Sequence, residues 1–202
     1  MERLLAILFF MAATWLSFGA ESLPRLNNTP QNIEQLWADY DPRCEPIETQ
    51  VVHEWQEDGL TLRYVIYSIG VFKGKPASMA AFYGFPNGEQ NLPALMHMHG
   101  GGQRAFLEVV RRYARRGYAT LSVNWGGRMM EDAHPDDPNT DWGVLDPTQN
   151  NVGGYSNLLP QDNTIDPFPS ARNNNWFLLT IGCRRGITFL EHQPEIDTER
   201  IG

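Results

Sequence analysis

Residues Leu92-Pro93-Ala94-Leu95-Met96-His97-Met98-His99-Gly100-Gly101-Gly102-Gln103 constrain this chain more than any other stretch. An apolar run stops at three glycines and then changes period, with Phe106, Val109, Val110, Tyr113 and Ala114 on one helical stripe. Arg111, Arg112, Arg115 and Arg116 complement the negative end of that helix, and Gly117 fits the left-handed position that closes many helices. Tyr118 to Asn124 then reads as a buried strand. Strand, helix and strand in this order form a βαβ unit, so the fold class is α/β with a parallel sheet. Three residues without Cβ also let bare N–H groups approach a bound atom beside a helix N-terminus, an arrangement that stabilises an anion.

Upstream, Thr29 and Pro30 signal a helix start, with Ile33, Leu36, Trp37 and Tyr40 on one face before Asp41-Pro42 ends it. This is expected to be a docking helix. Thr49 to Gln56 and Leu60 to Phe72 favour β-branched and aromatic residues around the turn signal Glu57-Asp58-Gly59, which predicts a hairpin. Lys73 to Pro76 breaks the pattern, Ala77 to Phe85 resumes it, and Pro86-Asn87-Gly88 breaks it again. An antiparallel meander therefore leads into the strand at Leu92.

Downstream, a long irregular region at about 125–170 follows the strand end directly, where open α/β sheets place ligands, and is expected to be a lid or substrate loop. Its Trp125, Trp142 and Tyr155 are candidate substrate-binding residues, and Trp142 and Tyr155 would suit stacking on a sugar ring. A helix from about Asn173 to His192 places Trp176, Thr180, Cys183, Ile187 and Leu190 along one face, with Phe177 and Ile181 beside them. Gly182 and Gly186 each cost about 1 kcal/mol against alanine in a helix interior, so close packing on the sheet is expected.

The first residues are of another kind. Arg3 precedes an apolar run from Leu4 to Leu16, and Ser17-Phe18-Gly19-Ala20 offers a cleavage site, which predicts a signal peptide over about 1–20 and a secreted or periplasmic protein. No later segment is apolar enough for a membrane partner after cleavage. The formal net charge of −8 argues against nucleic acid as a partner. Cys44 and Cys183 could form a disulfide on export, but read more naturally as separate thiols. His97 and His99, two apart on a strand, raise a metal reading, yet no further ligand follows at a suitable spacing, and no metal or cofactor is expected. Asp132, Asp136, Asp137 and Asp141 read as a solvated loop rather than a calcium site.

The H-G-G-G string at 99–102, the Asn124-Trp125-Gly126-Gly127 strand end, the long helix from Trp176 and Ile196-Asp197-x-x-Arg200-Ile201-Gly202 together resemble secreted α/β-hydrolases of the acetyl xylan esterase and dienelactone hydrolase-like type. The resemblance covers residue 45 onward. It implies an α/β-hydrolase-type sheet truncated before the nucleophile strand. The implied domains are a segment 21–44 with the docking helix and, over 45–202, the N-terminal part of the hydrolase domain.

The implied activity is serine carboxylic-ester hydrolysis, deacylating a small-molecule or glycan ester, with oxyanion donors in the backbone of Gly101, Gly102 and Gln103. The nucleophile, acid and catalytic histidine are absent. Serines at 22, 68, 78, 122, 156 and 170 all lack the flanking glycines of a G-x-S-x-G elbow. The alternatives are a non-catalytic binding module and a metal-dependent hydrolase using His97 and His99. The strand near Leu95 is further expected to be left as an apolar, unpaired edge, making the isolated chain insoluble or molten.

Overall fold

The computed structural model describes residues 30–38, 40–72, 75–100, 103–125 and 175–202. The signal peptide expected over 1–20, Thr29, Gly101, Gly102, Trp142 and Tyr155 lie outside the described residues, as does all but the first residue of the long loop.

β1 (Thr49–Glu57) and β2 (Leu60–Phe72) form the expected hairpin. Asp58 and Gly59 between them have φ of +50° and +78°, and positive φ at both positions matches the twist of the flanking strands. β3 (Lys75–Pro86) pairs antiparallel with β2 from Leu60↔Pro86 to Phe72↔Lys75, so Lys75 and Pro76 are already in the strand.

The chain then crosses over. β4 (Leu92–Met98) is separated from β3 by β5 (Ala119–Val123), which is antiparallel to β3 and parallel to β4. β6 (Ile196–Ile201) runs parallel on the other side of β4, giving one six-stranded sheet in the order β1-β2-β3-β5-β4-β6.

Strand alternation divides the buried residues between two faces. Val65, Tyr67, Met79, Ala81, Tyr83 and Leu121 meet Phe177, Ile181, Phe189 and Leu190 of α3 (Asn175–Glu191) on one face. Leu60, Leu62, Tyr64, Ala80 and Phe82 meet Val110 and Ala114 of α2 (Leu107–Ala114) on the other. Helix, sheet and helix thus form three layers, each fully buried Leu, Ile or Phe contributing roughly 1.5–3 kcal/mol. Gly117, at φ +86°, follows α2 in the left-handed conformation that the sequence predicts.

Several local expectations are corrected. α1 (Ile33–Leu36) is one turn, capped by Asn32, whose extended backbone lets its Oδ1 accept the Gln35 N–H at 2.8 Å. Leu36, Trp37 and Tyr40 dock on the core, while Ile33 turns outward. On α2, Phe106 and Tyr113 remain more than a third exposed, which narrows the stripe to Val110 and Ala114.

On α3 the buried face is partly rotated from the expected one. Phe177, Ile181 and Leu190 are buried as expected and Arg185, Thr188 and Phe189 join them, whereas Thr180 and Ile187 are exposed. The cause is Arg185, an arginine at the centre of the buried face. It donates to the carbonyls of Pro42, Glu45, Pro46 and Ser68 at 2.5, 2.8, 2.8 and 3.2 Å. Beside it the Arg184 guanidinium lies 4.3 Å from the Trp37 ring centroid, so both arginines tie the N-terminal segment to α3.

Close packing at the two glycines holds. A Cβ at Gly182 would lie 2.2 Å from Met79 Cε, and one at Gly186 would lie 2.9 Å from Met96 Sδ and 3.0 Å from the Tyr67 hydroxyl.

The strand near Leu95 is not an edge. β6 covers it, with Met96 N–H donating to the Gly202 carbonyl at 2.8 Å and Gly202 N–H to the Ala94 carbonyl at 2.9 Å. The physical reason for expecting an insoluble chain is thereby removed. Within β6, Arg200 pairs with Asp197 at 2.6 Å. Cys44 and Cys183 are both free thiols, and burial pushes Cys183 up to about 12. Among the described residues no helix is long and apolar enough to cross a membrane.

Candidate active site

β4, β5 and β6 are parallel, so their carboxyl ends lie along one edge of the sheet. The segment after β4 leads to α2 on one face, and the helix that follows β5 in sequence packs on the opposite face. Neighbouring strands whose connections part in this way leave a crevice between their ends, the usual ligand position in such sheets. The residues at that point are His99 and Gly100 after β4, and Asn124 and Trp125 after β5.

His99 is buried against Trp125. The rings stack at 4.8 Å with 8° between planes, and the Trp125 indole N–H donates to the His99 carbonyl at 2.6 Å. His99 Nδ1 lies 2.8 Å from the Gly100 carbonyl, which accepts its proton. Burial lowers the His99 pKa below the usual histidine value; the bond to Gly100 opposes this, and the nearby His97 adds to it. A neutral imidazole clamped between a carbonyl and an indole serves as a wall of the crevice.

The glycine segment is fastened at both ends. Gly100 N–H donates to Gln103 Oε1 at 2.9 Å, and Gln103 N–H donates to the Gly100 carbonyl at 3.2 Å. Further on, Asn124 Oδ1 accepts the Ala105 N–H at 3.2 Å and Ser122 Oγ accepts the Phe106 N–H at 2.9 Å. Phe106 is the N-cap residue of α2 and gives it no side-chain cap, and its own N–H is satisfied by Ser122 of β5. Ser122 Oγ also lies within hydrogen-bond distance of His97 Nδ1, at 2.9 Å. His97 too is lowered by burial.

Ser122 and His97 have the spacing of a nucleophile and its base, but Ser122 is fully buried in the sheet and out of reach of a substrate. Their contact positions the loop. No third His, Cys, Asp or Glu joins His97 and His99 in a metal-holding group among the described residues.

Of the residues that the sequence singles out, Gln103 and Trp125 lie at this edge. Ser122 and Asn124 were missed as anchors. With Thr120 they place polar side chains at alternate positions of a strand that is buried throughout, and that alternation was the available signal.

Three parallel strands between two helical layers, an antiparallel meander on one side and a glycine segment at the carboxyl edge define an α/β-hydrolase-type fold. No protein-family model and no curated protein sequence matches the chain. Among solved structures it is similar to the acetyl xylan esterase from Paenibacillus sp. R4, at 18% identity and a TM-score of 0.58 over 89% of this chain and 52% of that one. It is also similar to acetyl xylan esterase 1 from Thermoanaerobacterium sp. JW/SL YS485, at 18% identity and 0.60 over 90% and 52%. The chain therefore spans about half the length of these structures, and the likeness is one of fold.

Proposed function

We propose that this chain is the N-terminal portion of an exported serine carboxylic-ester hydrolase that deacylates a carbohydrate ester. The observation that carries the reading is the segment 99–106, held at the carboxyl edge by Gln103 at one end and by Ser122 and Asn124 at the other. On this reading the glycine amides between these anchors would meet the negative charge that develops on an ester carbonyl. Since the Gln103 N–H is engaged with Gly100, the donors are assigned to Gly101 and Gly102. The nucleophile is placed after Gly202, at the end of β6 and beside β4. Trp125, with Trp142 and Tyr155 of the 125–170 loop, would contact the substrate.

The test is to read the coding sequence past codon 202 and assay the full product on acetylated xylan. The expected result is G-x-S-x-G within a few residues, release of acetate, and a fall in kcat of about 10²–10³ in Gly101→Pro. A stop codon directly after 202, with no ester hydrolysis by the product, would leave a non-catalytic binding module instead.

A further inference from the structure

On the α3 side of the same edge is a cavity of about 290 Å³ lined by Met98, Trp125, Leu179, Thr180 and Cys183. Its place follows from the chain: Met98 ends β4, Trp125 lies two residues beyond β5, and the other three belong to the first half of α3. Among the described residues that line it, none carries a formal charge. The polar atoms of their side chains are one hydroxyl, one thiol and an indole N–H already donated to His99.

A hydroxyl-rich sugar ring would lose its water here without gaining partners, whereas hydrocarbon gains by entering. Volume sharpens the choice. A methyl group fills about the share of one water molecule, roughly 30 Å³, so an acetyl group would cover little of the apolar lining of this open cavity of about 290 Å³. The Trp125 wall is also fixed in advance by its stack and hydrogen bond, which lowers the ordering cost of binding.

We infer that this cavity is the acyl pocket of the ester site and that it takes a medium-length aliphatic acyl group in preference to acetyl. Cys183 and Thr180 on α3 set its depth, and Trp125 sets its width. The inference rests on the ester-hydrolase reading for its reaction, but the binding step needs no catalysis and is tested by itself.

The experiment uses the chain labelled with [¹³C-methyl]methionine and two neutral probes that an esterase leaves intact, hexanamide and acetamide. The Met98 methyl resonance, identified by its loss in Met98→Leu, is expected to move saturably with hexanamide at concentrations at least tenfold lower than with acetamide. That response should vanish in Cys183→Phe and persist in Cys183→Ser, with the core Met79 and Met96 resonances unmoved. Should Cys183→Phe disturb the core, Thr180→Trp fills the cavity from an exposed position and is expected to abolish the response likewise. A Met98 signal indifferent to hexanamide, or responding equally when the cavity is filled, overturns the acyl pocket. Absence of ester hydrolysis by the full-length product counts separately, against the reaction.

Discussion

Two buried polar anchors hold chain segments against this fold, and they satisfy opposite ends of the peptide group. Arg185 gives its guanidinium protons to the carbonyls of Pro42, Glu45, Pro46 and Ser68, tying the N-terminal segment to α3 and the end of β2. Ser122 and Asn124 accept the amides of Phe106 and Ala105, tying the glycine segment to β5. The first anchor is a charge that gathers acceptors in one layer; the second is a pair of neutral groups at the carboxyl edge, where open α/β sheets usually place ligands. The difference separates a role in holding the fold from a role in holding a site.

The largest expected effect is at the first anchor. Arg185→Met leaves the buried Pro42 carbonyl and three part-buried carbonyls without their charged donor and should destabilise the chain by about 3–5 kcal/mol, read by urea denaturation, without altering the Met98 response to hexanamide in the fraction that stays folded. A loss below about 1 kcal/mol would mean that the segment 42–46 holds itself.

Asn124→Ala should cost less, about 1–3 kcal/mol for one stranded buried amide, and, on the proposed ester-hydrolase function, should lower ester hydrolysis by the full-length product disproportionately. Equal ratios of stability loss to activity loss in Arg185→Met and Asn124→Ala would erase the distinction between the anchors.

The smallest effect is in pH. Burial lowers both His97 and His99, so the unfolded chain binds protons more readily than the folded one. Stability should therefore fall as the pH drops below the unfolded histidine value near 6.5, and should be regained as it rises. Denaturation midpoints at about pH 7.5 and about pH 5.5 check the sign, and His97→Gln should flatten part of the fall.

The strand, helix and turn pattern was legible because it rests on periodicity and on glycine chemistry. Asp58-Gly59, Gly117 and the pairing of Gly182 with Gly186 all carried their structural meaning in the sequence. The face of α3 was only partly legible, because a reading that sends charge to solvent must turn the helix away from Arg185. The cap at Asn32 was obscured by the equally good signal at Thr29-Pro30 just before it. At the candidate site, the glycines announced a loop, but the groups that fasten it come from β5, eighteen or so residues on, where only the fold shows which amides they meet.

The most direct test of the account is native-state amide hydrogen exchange at Ala105 and Phe106, compared between wild type, Asn124→Ala and Arg185→Met. The account predicts that Asn124→Ala loses protection at Ala105 and its neighbours while β2 and β3 keep theirs, and that Arg185→Met lowers protection across α3 and β2 with no selective loss at 105–106. Protection at 105–106 that is unchanged in Asn124→Ala would contradict the claim that β5 holds the glycine segment in place.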